Sequence, residues 1–176
     1  MRTPLALAAV ATAIAGLGLS PATASPTTGT AAEEPTVTHE RGVVIECGGT
    51  FGDEEVFVSV YENDTFANVL QVVVGDDGLG RSRESAAGFV SRGEVRASLR
   101  LDGRRVLVSG TATRHGKRIA VHEEHDDAGQ HIVVDGFHRL LRTDLTMLWK
   151  GRTVDLDCGE AFRYDLQVTT TDTTGD

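Results

Sequence analysis

"GEVRASLRLDGRRVLVSGTATRHGKRIAVHEEH", residues Gly93–His125, decides the fold. Val95, Ala97, Leu99 and Leu101 alternate with Glu94, Arg96, Ser98 and Arg100. A period of two marks a half-buried strand, because successive side chains leave a pleated strand on opposite faces. Asp102-Gly103 is a two-residue hairpin signal, since glycine takes the left-handed backbone that such a turn requires. Pairing about it sets Leu99 against Val106 and Ala97 against Val108, so both strands turn apolar side chains to one face. His115-Gly116 reads as the next turn, with Ala112 opposite Ile119 and Gly110 opposite Val121. A one-residue slip would send every apolar side chain to solvent, which pins the register.

The same logic extends outward. Leu145, Met147 and Trp149 alternate, Lys150-Gly151 turns the chain, and Val154, Leu156 and Cys158 return on the same face. Phe162, Tyr164, Leu166 and Val168 form a last strand, and Val43, Ile45 and Cys47 alternate inward near the start. "EVFVSVYEN" and "ANVLQVVVG" are near-continuous apolar strands, expected to be central or covered on both faces. "DDGLGRSRESAAGFVSRG", residues 76–93, is the longest irregular stretch and has room for one short helix. The chain is therefore expected to be all-β, an antiparallel up-and-down hairpin meander forming a small barrel of about 8–10 strands. A two-sheet β-sandwich is the alternative.

The ends do not belong to that meander. Arg2 precedes an apolar run, Leu5–Leu19, and Ala22-Thr23-Ala24 supplies a small-x-small cleavage signal. Residues 1–24 read as a signal peptide cut after Ala24, which makes the protein secreted. The apolar run is shorter than the roughly 20 residues of a spanning helix, so no membrane span is expected. Residues 25–40 and 169–176, rich in Thr with Pro, Ala, Asp and Glu, read as a disordered leader and tail around one domain at 41–168. The net charge is −9; an acidic surface repels phosphate backbones and anionic lipid, which argues against nucleic-acid and membrane-surface roles. Arginine greatly outnumbers lysine, a bias that fits a GC-rich bacterial genome.

Cys47 and Cys158 are the only cysteines and fall near the two ends of the domain. An even pair in an exported chain reads as one disulfide, closing a loop of roughly a hundred residues and contributing about 4–5 kcal/mol in the chain-entropy model. Both sit at inward positions of terminal strands, as a bridge between first and late strands requires.

"AVHEEHDDAGQHIVVDGFH", residues Ala120–His138, concentrates histidines and carboxylates. The HxxH spacing of His122 and His125 suits a helix, but on a strand the two point to opposite faces. A four-residue loop closed by His125 and Gln130 lets Ile119 and Val121 share the inward face with Ile132 and Val134. Glu124 then lies across from His131, and His122, Glu124 and His131, with Asp135 nearby, form an outward group able to offer two imidazoles and a carboxylate to a divalent cation. Glu123 and His125 are the inward companions near the barrel rim, a candidate acid/base pair. Solvated cross-strand His–Glu pairs on a surface hairpin need neither purpose, and no cofactor is expected from them. A bulge is expected near His138, where the inward parity changes.

"VFVSVYEN", "QVVVGD" and "AVHEEHDDAGQHIVVDGFHR", with the two flanking cysteines, resemble a family of small exported proteins from GC-rich Gram-positive bacteria to which no activity is assigned. The resemblance covers most of the domain and implies export and a β fold. The chain is also similar to small secreted lysozyme-inhibitor barrels, eight-stranded and disulfide-tied, although their inhibitory loop motif is not evident here. The expected function is a non-catalytic binding module for an extracellular protein or small ligand, acting as a monomer. A secreted metal-binding or hydrolytic enzyme using hairpin 120–138 and a structural envelope protein are the two alternatives.

Overall fold

The computed structural model describes residues 34–75 and 78–173. The expected signal peptide and most of the expected leader lie outside these residues, as do Asp76, Asp77 and residues 174–176. Nine strands follow: β1 Thr36–Phe51, β2 Glu54–Asn63, β3 Asn68–Val74, β4 Leu79–Ser85, β5 Val90–Ser91, β6 Glu94–Leu101, β7 Arg104–Asp127, β8 Gln130–Trp149 and β9 Arg152–Asp172. They form one antiparallel sheet in the order β4-β3-β2-β1-β9-β8-β7-β6-β5. Each strand therefore pairs with the next in sequence except across β4 and β5, and β1 pairs with β9. This is an up-and-down meander whose first and last strands meet, curled into a half-barrel and left open at one seam. Arg83 of β4 reaches across that seam to donate to the Ser98 carbonyl of β6. The all-β fold, the hairpin meander and the barrel-like curl all match the sequence pattern.

Among the described residues four hairpins turn on an X-Gly pair with both residues left-handed: Arg92-Gly93, Asp102-Gly103, Ala128-Gly129 and Lys150-Gly151. That is the two-residue turn whose twist suits adjoining strands. The register Leu99↔Val106 and Ala97↔Val108 is as the alternation requires. His115-Gly116 is different. Strand β7 runs straight through it, and the left-handed Gly116 (φ 71°) sits in a bulge between Arg114 and Arg118. A left-handed glycine serves a bulge as readily as a turn, so the dipeptide alone does not distinguish them. The stretch expected to be irregular carries β4 and β5 and, among its described residues, no helix. Strands β2 and β3 alternate between buried and outward positions, with Phe57 on the outer side, so they are covered on one face only.

The concave face carries the core. Val43, Ile45 and Cys47 of β1, Val56, Val58 and Val60 of β2, Leu70, Val72 and Val74 of β3, and the alternating residues of β6, β7 and β8 pack together. Phe89, on the crossing from β4 to β5, joins that core. Cys47 and Cys158 are bonded and stand opposite each other on β1 and β9.

Four strands outlast the barrel. The β1–β2 ladder begins only at Gly42 and the β6–β7 ladder ends at Thr111. Beyond these points β1, β9, β8 and β7 continue as a four-stranded blade tipped by the Ala128-Gly129 turn. Strand β1 begins inside the expected leader, and β9 runs to Asp172, well into the expected tail. Threonines and valines there have partners in the blade ladder, and Thr36 pairs with Thr170. Polar composition suggested disorder, but Thr and Val are good strand residues once a neighbouring strand offers its hydrogen bonds.

The bridge spans 111 residues. Replacing Cys47 and Cys158 together by alanine is expected to lower the unfolding free energy in urea by about 4–5 kcal/mol. A loss below about 1 kcal/mol would show that the β1–β9 ladder closes the sheet without the staple.

Candidate functional site

Alternation along the ladders settles which blade residues continue the concave face. On β8 the buried Leu141, Leu145, Met147 and Trp149 are odd-numbered, and the strand has no extra residue, so Arg139, Phe137, Asp135, Val133 and His131 lie on the same side. The β7 bulge inserts two residues and conserves parity, which puts Arg118, Ala120, His122, Glu124 and Asp126 beside them. On β9 the register shifts near Gly159, after which Ala161, Arg163 and Asp165 face inward. Ile119, Val121, Ile132 and Val134 are therefore on the convex face, opposite to the sequence reading, and Ile119 is half exposed. The expected bulge near His138 is absent from β8; the irregularities lie at Arg114–Arg118 of β7 and near Gly159 of β9.

The histidine hairpin is assembled differently from expectation. Its turn is Ala128-Gly129 rather than a four-residue loop, so Glu124 pairs with Val133 and His131 with Asp126. The parity is unchanged, which is why His122, Glu124, His131 and Asp135 still share a face. They do not converge. His122 Nδ1 lies 2.7 Å from Asp135 Oδ1 and its Nε2 lies 3.3 Å from Glu124 Oε1. His131 Nδ1 bonds Asp126 at 2.8 Å instead. Both His122 ring nitrogens are thus directed at carboxylates of their own, away from His131. Among the described residues no group of three or more His, Cys, Asp or Glu side chains is placed to hold an ion. Glu123 and His125 are exposed on the convex face, away from any rim.

A different group converges. Arg118 pairs with Arg139 across β7–β8, and Arg139 pairs with Arg163 across β8–β9. Three arginines thus stand in one cross-strand row on the concave face, on strands about 4.8 Å apart. Arg163 is followed by Val43 and then Glu62, whose carboxylate is engaged by the backbone N–H groups of Phe89 and Val90. Arg41 and Arg114 complete a recess of about 220 Å³, whose lining also includes Gly42, Phe137, Tyr164 and Asp165. The Arg118 guanidinium lies 3.9 Å from the Phe137 ring centre, and Arg41 pairs with Asp165 at 3.3 Å. Tyr164 spans Gly42, where a Cβ would overlap its ring, to donate to the Glu62 carbonyl at 2.8 Å.

Five arginines and one aspartate line this recess in a chain of net charge −9. Among the described residues Arg114, Arg118, Arg139 and Arg163 form no ion pair, and Arg139 Nε is buried without a hydrogen-bond partner. Like charges directly opposite on a sheet destabilise it, and buried donors ordinarily find acceptors. The arrangement is chemically suited to an oxyanion, because guanidinium forks present paired N–H donors to two oxygens at once. Comparison with known protein families, curated proteins and solved structures gives no match.

Two histidines test the electrostatics. The hydrogen bond and charge of Asp135 raise the pKa of His122 above its ordinary value, with Glu124 adding to it. His138, stacked on Phe162 with ring centres 4.2 Å apart, is pushed below the ordinary value by burial. His122 therefore favours the folded state while protonated, a contribution present below its unfolded pKa and lost as pH rises through the folded one. His138 has the opposite sign and weakens the fold as pH falls. An NMR titration should show His122 deprotonating at higher pH than His138, and Asp135→Asn should lower the His122 value. The reverse order would contradict the hairpin geometry.

Proposed function

We propose that this protein is an exported, non-catalytic binding module that captures an anionic ligand in the arginine recess of its concave face. The cross-strand row Arg118–Arg139–Arg163 carries this reading. In the free protein its three cations repel one another; a bound oxyanion turns that repulsion into charge-assisted hydrogen bonds. The half-barrel supplies rigidity, since the row sits on strands anchored in the core by Ala161 and Leu141 and tied by the Cys47–Cys158 bridge. Binding groups held on strands of a packed scaffold keep their geometry better than groups on loops.

Export rests on the Leu5–Leu19 apolar run and the Ala22-Thr23-Ala24 cleavage signal, and the disulfide is consistent with an oxidising compartment. Among the described residues no helix is long and apolar enough to cross a membrane.

Stability and binding should trade off at the centre of the row. Arg139→Met keeps an unbranched chain and removes the middle charge. The variant is expected to gain roughly 0.5–1 kcal/mol in urea unfolding at low ionic strength, a gain that shrinks as salt shortens the Debye length. Titrating orthophosphate at constant ionic strength should shift the side-chain NMR signals of Arg118, Arg139 and Arg163 saturably in the native protein, with the Arg118 and Arg163 shifts abolished in Arg139→Met. A linear, non-saturating shift, or a variant less stable than the native protein, would count against the recess as a site.

A further inference from the structure

The 220 Å³ recess is not isolated. A second, open recess of about 450 Å³ adjoins it, lined by Arg92, Gly93, Ala112, Thr113, Arg114 and Arg163. Arg114 and Arg163 belong to both. The first recess is smaller than the roughly 300–1,000 Å³ of pockets that enclose a whole small molecule. It has room for one small group such as a single phosphate or sulfate.

The charge pattern shows where a longer ligand would continue. Towards the blade tip the concave face carries Glu124, Asp126 and Asp135, with Asp127 and Asp172 at the end of the hairpin and its neighbouring strand. That end repels an anion. Sideways, towards β5 and β6, the path runs from Arg163 and Arg114 to Arg92. Arg92 is held there by the Arg92-Gly93 turn, in which a non-glycine residue takes a left-handed backbone (φ 53°).

Building on the anion-binding reading above, we propose that the ligand is a polyanionic chain with repeated tetrahedral oxyanion groups, phosphate or sulfate, which crosses the strands and occupies both recesses. Three points favour such groups over a planar carboxylate. The arginines approach from three strands in one row and from Arg41 and Arg114 outside it, which surrounds a tetrahedral group. Arg139 Nε is buried without a hydrogen-bond partner among the described residues, so the middle guanidinium of the row keeps a donor that lacks an acceptor. Two adjoining recesses with shared arginines are filled together by successive groups on one chain, the second bound at the high effective concentration that the link provides.

Linear polyphosphate, dextran sulfate and orthophosphate are the probes, titrated against the folded protein at fixed ionic strength. The proposal expects a chain probe to bind about tenfold or more tighter, per charged group, than orthophosphate. Its affinity should fall more steeply with salt, since more counterions are released. Preference between the two chains identifies the source, phosphate or sulfate; equal binding supports the shared chemistry. Arg92→Asn, which retains a residue suited to the left-handed turn, should remove most of the chain advantage and leave orthophosphate affinity within about twofold. Unaltered chain affinity in Arg92→Asn, or chains no tighter than orthophosphate, overturns the two-recess proposal while a saturable orthophosphate site stands. If no probe binds saturably, the anion-binding reading falls with it.

Discussion

Strands β1 and β9 pair from Thr36 to Gly48 and from Asp157 to Thr170, and the rest of the molecule depends on that ladder. Without it the chain would form two separate meanders, β1 to β4 and β5 to β9, each with its apolar face uncovered. With it the two curl into one half-barrel around a shared core. The ladder also extends past the barrel and makes the blade, since β1 beyond Gly42 pairs with no other strand among the described residues. Even the arginine row is tied to it: Arg163 faces the concave side because β9 leaves the register shift near Gly159 with its odd residues inward.

Much of this was legible in the residues. Alternation through Val95–Leu101, the Asp102-Gly103 turn and the inward cysteines led directly to an antiparallel meander with joined ends. The errors share one physical origin. Apolar alternation marks a face but does not say which side of the sheet is filled. In the barrel, Val106 and Val108 point to the core. In the blade there is no second layer among the described residues, and Ile119, Val121, Ile132 and Val134 lie on the outside. Treating them as core turned the concave face inside out and hid Arg118 and Arg139 among presumed solvent-facing residues. The arginines were also hard to see because the three come from distant parts of the chain and the total charge is acidic. Only the register brings them side by side. The histidines misled for the converse reason: they are neighbours in sequence, but His122 and His131 take separate carboxylate partners.

Charge on the concave face is therefore unevenly distributed. Cations crowd the barrel end of the blade and carboxylates the tip, within one continuous surface. Net charge describes how the whole protein behaves at long range, whereas recognition depends on fields within a Debye length, about 8 Å at physiological salt. At that range a protein of net charge −9 presents a basic site. The acidic remainder disfavours loose, non-specific binding of anions elsewhere on the surface.

The seam between β4 and β5 has a consequence for connectivity. Among the described strands the one link that is not a hairpin joins the two outer strands, whereas Thr36 and Thr170 are paired neighbours in the middle of the sheet. A circular permutant that joins the blade ends and opens the chain between Ser85 and Val90 would have strands in simple consecutive order. Its most distant pairing would become a local hairpin. Because folding speed rises as contacts become more local, the same barrel would be reached by a shorter search, with the native sheet and the arginine row unaltered.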